Sequence, residues 1–265
     1  MISYVRYERP KLLTPLWRSC FPDSEAAVKT FWRKTEGVVL TFAALDGSTP
    51  VSMLCALPAT LVDDCGEALP AVYLYAVCTA PAYRRRGICA ALLAYAEQEL
   101  RDFDVLLLVP DGEAMFRYYE KRGYRTALYH RSYAIAPQAA DVKRTKLTAD
   151  AYRNLRELQL YDAFVSYDTP LLELQNCASE ASGAGLYRLE TADTVCCAAA
   201  EKRGDTLLFK ELLPDCPEAA AALAQRLGCA KAVVRTPGGE VPFGMVKALH
   251  GAVLPEKAYL AFAFD

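Results

Sequence analysis

Three consecutive arginines, Arg84, Arg85 and Arg86, are followed at once by Gly87. Guanidinium groups take phosphate oxygens through paired N–H donors, and a glycine lets its backbone approach an anion because it carries no Cβ. The setting of this quartet sharpens its meaning. Before it runs Ala71-Val72-Tyr73-Leu74-Tyr75-Ala76-Val77-Cys78-Thr79, rich in aromatic and β-branched residues that fit a buried strand. After it Ile88, Leu92, Leu93, Ala96 and Leu100 fall on one helical face. The first N–H groups of a helix have no partner within it, and the helix dipole favours an anion there by roughly 0.3–2 kcal/mol. A strand-to-helix turn of this composition suits a pyrophosphate, with Arg84, Arg85, Arg86, Gly87, Ile88, Cys89 and Ala90 as its members. A basic helix start on a solvated surface is the plainer alternative.

A second segment carries different chemistry. The apolar run Asp104-Val105-Leu106-Leu107-Leu108-Val109 reads as a buried parallel strand. A helix follows and ends in Phe116-Arg117-Tyr118-Tyr119-Glu120-Lys121-Arg122-Gly123-Tyr124, with Gly123 as the left-handed residue that stops it. The pattern Arg84-x-x-Gly87-x-Cys89 resembles the acyl-CoA-binding segment of the GNAT superfamily of N-acetyltransferases, in which Gly or Ala stands where this chain has Cys89. Tyr119 to Tyr124 is similar to the family's Tyr-Glu-Lys-x-Gly-Phe, and the two motifs occur in the family's order.

That resemblance implies an α/β (or α+β) fold of GNAT type, a mixed central sheet flanked by helices. It also implies transfer of an acetyl group from acetyl-CoA to a primary amine by direct attack, with no covalent enzyme intermediate. By the same resemblance Val77, Cys78 and Thr79 would pair with the pantetheine arm like an added strand. A backbone N–H near Val77 or Cys78 would polarise the thioester carbonyl. Tyr119 would be the general acid that protonates the departing thiolate, since a phenol with an ordinary pKa near ~10 keeps its proton at neutral pH. Packing of Tyr119 beside Met115 and Phe116 is the alternative, and Tyr118 takes the role if the register shifts by one. No general base is assigned. Asp23, Glu25, Asp63, Asp64, Glu67 and the C-terminal carboxylate are candidates, each read first as a solvated charge, and His130 is read first as a polar residue on an exposed strand. A non-catalytic acyl-CoA-binding or sensing module is the competing function, and a structural protein with surface arginines a third.

The elements that must position these residues follow from periodicity and turn chemistry. Helices are expected at 12–20 and 24–34, the second capped by Asp23 and Ser24. A hairpin joins 37–45 to 51–61 through Asp46-Gly47. Strand 71–79, helix 88–100, strand 104–109 and the helix ended by Gly123 come next, then two short strands within 124–135. From 141 the order recurs: helices at 151–160 and 170–180, strands at 185–189, 194–201 and 206–213, a helix at 217–227 ended by Gly228, and a strand at 230–235. Thr236-Pro237-Gly238-Gly239 is expected to break the chain there, and 259–264 is strand-like. The connection Pro214-Asp215-Cys216 has neither Arg nor Gly, and with Glu218 it would repel a pyrophosphate. The expected division is therefore a GNAT domain with the acetyl-CoA site at 1–140 and a degenerate, tandem GNAT-like domain at 141–265, whose resemblance is architectural only.

Composition bounds the rest. The chain has 265 residues, 53% hydrophobic and 23% charged, with a formal net charge of −2. That balance fits a globular protein and offers no long-range attraction for nucleic acid. Charged residues near the start exclude a signal peptide there, and no apolar run is long enough to span a bilayer. Ten cysteines, none in a Cys-x-x-Cys pair, read as packing thiols in a reducing cytoplasm. With only His130 and His250 as imidazoles, no metal site is expected. The expected partners are acetyl-CoA and a small amine or amino-terminal acceptor, on a monomer or weak homodimer.

Overall fold

The computed structural model describes residues 1–260 and 262–264. They form two compact units, each made of several segments of the chain. The first comprises Met1–Thr60, Leu69–Leu108 and Lys247–Val253; the second comprises Leu61–Ala68, Val109–Val246 and Leu254–Asp265.

The first unit is a mixed sheet in the order β1 (Ile2–Arg6), β2 (Leu40–Asp46), β3 (Thr49–Val62), β4 (Ala68–Thr79) and β5 (Val105–Leu108). The pairs β1/β2 and β2/β3 are antiparallel, and β4/β5 is parallel. Its helices are α1 (Thr14–Cys20), α2 (Glu25–Lys34) and α3 (Ile88–Glu99). The start of α2 is fixed by Ser24, whose Oγ accepts from Ala27 N at 3.1 Å, as its sequence signature predicts. Acidic Glu25 in its first turn and basic Arg33 and Lys34 in its last match the helix dipole. Trp17, Phe31 and Trp32 carry α1 and α2 onto β4, with Tyr75 5.7 Å from Trp17 and 5.5 Å from Phe31 between ring centroids. The α3 face predicted from periodicity is the buried one, and Ile88 packs with Ala44 and Val51. Gly47 takes a φ of 61° in the β2–β3 turn, where a side chain would be strained.

Two expectations for this part of the chain are corrected. β1 was not foreseen, because five residues carrying a charge give little periodic signal; its alternation becomes useful only when β2 supplies an edge. Residues 61–70 are not a free loop. β3 and β4 extend through most of them, and the turn is tied by Asp63 Oδ1, which accepts from Cys65 N and Glu67 N at 2.8 Å each.

The second unit contains α4 (Glu113–Glu120), β6 (Arg125–Ile135), β7 (Lys143–Lys146), α5 (Ala149–Glu157), β8 (Phe164–Ser166), α6 (Thr169–Ala181) and β9 (Gly185–Glu190). It continues with β10 (Val195–Arg203), β11 (Thr206–Leu213), α7 (Pro217–Arg226), β12 (Lys231–Ala248, whose last two residues belong to the first unit) and β13 (Ala258–Tyr259). Strand order is β8-β13-β6-β12-β11-β10-β9-β7. The pair β11/β12 and both pairings of β13 are parallel, whereas β10/β11, β9/β10, β7/β9 and β6/β12 are antiparallel. The expected pair of short strands in 124–135 is one strand, β6, held along its length by β12. Nor does β12 stop at Arg235. Its register on β6 jumps from Thr236 to Val241, so Pro237-Gly238-Gly239-Glu240 bulges out and pairing resumes beyond it. Strands β7 and β8 were missed, being only four and three residues long. Of the expected 259–264 strand only Ala258–Tyr259 is one, and residue 261 lies outside the described residues.

The core of this unit explains its alanine-rich helix. Ala219 to Ala224 are all buried, all but Ala221 in one cluster with Leu207, Phe209 and Val234, and the small alanine side chains let the helix be enclosed on every side. Among the buried residues is an ion pair: Arg156 Nε lies 2.9 Å from Glu211 Oε2, and Tyr152 donates its hydroxyl to the same carboxylate.

Candidate functional site

β4 is paired with β5 from Ala71↔Val105 to Tyr73↔Leu107, yet it continues to Thr79. β5 ends at Leu108, so the rest of β4 runs on past it. Within that stretch Ala76 has a φ of 50°, the left-handed region that costs a non-glycine residue of order 1–3 kcal/mol. The kink re-aims the backbone of Val77, Cys78 and Thr79. Val77 and Thr79 are half-buried while Cys78 is buried at 8% exposure. The strand end is then pinned: the Ser52 hydroxyl lies 2.6 Å from Cys78 O and 2.8 Å from Thr79 Oγ1, and Ala80 N donates to Val51 O at 2.9 Å.

The turn that follows is pinned to the same strand end. Arg84 Nε donates to Thr79 O at 3.0 Å, so this side chain closes the turn instead of extending freely from it. Arg85 has a φ of 63° and Gly87 a φ of 76°, and Gly87 is the N-cap of α3. Left-handed backbone at Arg85 and Gly87, following an extended Arg84, makes a tight turn of the kind from which an anion nest can be built. No atom lies within 4 Å of a Cβ built on Gly87, so its need for glycine is conformational, and the space above it is open. All three arginines are exposed; Arg86 stacks over the Tyr83 ring at 5.1 Å, and Tyr83 donates to Asp46 Oδ2 at 3.0 Å. Ile88, Cys89 and Ala90 form the first turn of α3. Val77, Cys78, Thr79, Arg84, Arg85, Arg86, Gly87, Ile88, Cys89 and Ala90 are thus gathered at one end of the first unit. Sequence reading missed Ala76 and Ser52. An alanine in a Tyr-rich strand and a serine in the neighbouring one carry no signal until the kink is seen.

Tyr119 belongs to the second unit, near the C-terminus of α4. The helix ends as predicted: Tyr124 N donates to Tyr119 O at 3.2 Å, Gly123 N to Glu120 O at 3.0 Å, and Gly123 has a φ of 83°. The Tyr119 ring is 5% exposed, edge-on to Tyr118 at 5.1 Å and to Tyr124 at 5.6 Å. Tyr118 instead lies under the Arg122 guanidinium at 3.4 Å. The adjacent tyrosines therefore have distinct surroundings.

The possible bases separate as well. Asp23 Oδ2 accepts the Trp17 indole N–H at 2.8 Å, and Glu25 is ion-paired with Lys29 and Arg18, with Lys29 holding its carboxyl below the usual range. Asp63 ties its own turn as described, and Asp64 Oδ1 accepts from Ala163 N at 3.1 Å. Glu67 is exposed at the same turn, and its main chain closes it: Asp63 N donates to Glu67 O at 3.0 Å. The terminal carboxylate lies outside the described residues. His130 corrects its expected exposure. It is 4% exposed, 4.6 Å from the Phe243 ring, and burial together with the nearby Arg235 charge lowers its pKa to about 4. The second unit also holds an open cavity of 580 Å³, bordered by Asp64, Tyr129, Asp162, Glu256, Lys257 and Tyr259 among others. It contains neither motif.

Residues 8–127 match the family model of the acetyltransferase (GNAT) domain. No curated protein sequence matches the chain. A GCN5-related N-acetyltransferase from Anabaena variabilis is similar in structure, with TM-score 0.71 and 16% identity over 93% of this chain and 72% of that one. One from Kribbella flavida gives 0.69 and 14% over 94% and 71%. Eis1 from Mycobacterium abscessus gives 0.63 and 15% over 94% and 73%. At such identities the likeness establishes the fold. Residues 8–127 are thus similar to the GNAT acetyltransferase domain, and the chain shares the mixed α/β fold of the solved N-acetyltransferase structures it resembles.

Proposed function

We propose that the protein is an N-acetyltransferase that moves the acetyl group of acetyl-CoA to a primary amine by direct attack. The observation that carries this reading is the run of β4 past the end of β5, combined with the Ala76 kink and the Arg84–Gly87 turn in one place. Acetyl-CoA supplies the thioester and a pyrophosphate. The N–H groups from Arg85 to Ala90 and the exposed guanidinium groups of Arg85 and Arg86 would hold the pyrophosphate, with Arg84 keeping the turn against Thr79. The strand edge at Val77, Cys78 and Thr79 would bind the pantetheine amides as a further strand does. An N–H beyond the Ala76 kink is the donor for the developing oxyanion. Tyr119 would return a proton to the departing sulfur.

Within the second unit, apart from the short β8 between α5 and α6, the order α5, α6, β9, β10, β11, α7, β12 follows that of α1, α2, β2, β3, β4, α3, β5, and β11/β12 is parallel as β4/β5 is. This supports residues 141–265 as a degenerate copy. Its turn after β11 is occupied from inside: Asp215 pairs with Arg131 and accepts from Tyr133. Ten cysteines with no Cys-x-x-Cys pair suit a reducing, cytoplasmic setting. A panel of amine acceptors, followed by release of free CoA, tests the proposal. Turnover with at least one amine, lost in Tyr119→Phe while acetyl-CoA still binds, supports it. Binding with no turnover on any amine favours a sensor and overturns it.

A further inference from the structure

Two features of the second unit lie outside both motifs: the Pro237-Gly238-Gly239 bulge and the cavity of 580 Å³. They are one structure. The bulge is one wall of the cavity, and residues 159–163, residues 256–259 and the turn that carries Asp64 are the others, all within the second unit. These walls are tied to one another. Asp64 Oδ1 accepts from Ala163 N at 3.1 Å, Tyr259 N donates to Ala163 O at 2.8 Å, and Tyr259 is registered against Tyr129 of β6. A Cβ on Gly239 would stand 3.3 Å from Lys257 Nζ, so the glycine lets the bulge close over that ammonium. A cavity walled by paired strands and backbone hydrogen bonds is in place before any ligand arrives.

Its charges are unevenly matched. Asp64, Asp162 and Glu256 border it against a single ammonium, Lys257, whose Nζ lies over the Tyr129 ring at 5.1 Å. Among the described residues none of these four takes part in an ion pair. The carboxylates do not converge on a point either: among the described residues no group of three His, Cys, Asp or Glu side chains could hold one metal ion. Separated negative charges around a volume of this size suit an organic ligand with several separated positive groups. Tyr161, 85% exposed at the same cavity, adds a ring face for methylene groups and for an ammonium. We infer that the cavity is a binding site for a flexible di- or polyamine. Its ammonium groups meet Asp64, Asp162 and Glu256, and its methylene chain lies against Tyr161. Lys257 repels such a ligand and marks where its charges do not lie.

Titration calorimetry of the full chain with spermidine, in the absence of acyl-CoA, tests the site without calling on acetyl transfer, so its failure leaves the acetyltransferase reading untouched. One spermidine should bind per chain. Asp162→Asn combined with Glu256→Gln should weaken it at least about fivefold, the sum of two exposed charge contacts. Lys257→Met should tighten binding, because it removes the one repelling charge. Glu99→Gln combined with Asp102→Asn, which takes the same charge from exposed positions of the first unit, should leave affinity unchanged. No heat at millimolar spermidine, unchanged affinity in the folded Asp162/Glu256 variant, an equal loss in the Glu99/Asp102 variant, or weaker binding in Lys257→Met would each overturn the inference.

Discussion

A buried tyrosine is ordinarily a packing residue, and Tyr119, edge-on to two other rings, packs well. Its chemistry is separable from its packing because phenylalanine keeps the ring and loses only the hydroxyl. Tyr119→Phe is expected to lower kcat by about 10²–10⁴-fold, the range of a lost general acid, with acetyl-CoA affinity unchanged; steady-state kinetics and calorimetry measure the two separately. His130 offers a second test at this scale. Its pKa falls from 6.5 to about 4 on folding because the charged imidazole is disfavoured by burial and by Arg235. Below the unfolded value the unfolded chain binds a proton that the native protein refuses. Stability should therefore fall as pH drops from 6.5 towards 4, and His130→Phe should show a smaller fall in urea midpoint across that window.

At the scale of elements, the function rests on how β4 ends. Ser52 is fully buried, and its hydroxyl spans Cys78 O and Thr79 Oγ1. Ser52→Ala should destabilise the protein by about 1–3 kcal/mol in urea unfolding, since it leaves buried acceptors unsatisfied, and should weaken acetyl-CoA binding as well. Much of this element was legible in sequence. The aromatic and β-branched run, the Arg-Arg-Arg-Gly punctuation and the apolar face of α3 each carry a local signal. The kink at Ala76 does not, because a left-handed alanine is tolerated only where neighbouring strands over-determine it. Likewise Pro237-Gly238-Gly239 looks like a chain break, yet β6 holds the strand on both sides of the bulge. Long-range pairing overrides local breakers, and one chain read alone does not contain it.

For the molecule as a whole, the second unit is anchored on a charge pair that composition could not reveal. Arg156 and Glu211 are 1% and 0% exposed, so removing either partner strands the other in an apolar interior. Arg156→Met should cost about 3–5 kcal/mol in urea unfolding, and adding Glu211→Leu should recover much of it. The main helices and strands of this unit were legible from periodicity, whereas this pair was not, since its members lie 55 residues apart. What the account claims for the protein turns on the Arg84–Gly87 turn as a diphosphate cradle, and titration calorimetry with acetyl-CoA addresses it most directly. The wild-type chain should bind, and Gly87→Ala, which forces a side chain into a φ of 76° and into the open space above the turn, should weaken binding at least about tenfold, or ~1.4 kcal/mol. No heat of binding at millimolar acetyl-CoA, or equal affinity in a folded Gly87→Ala variant, would contradict it.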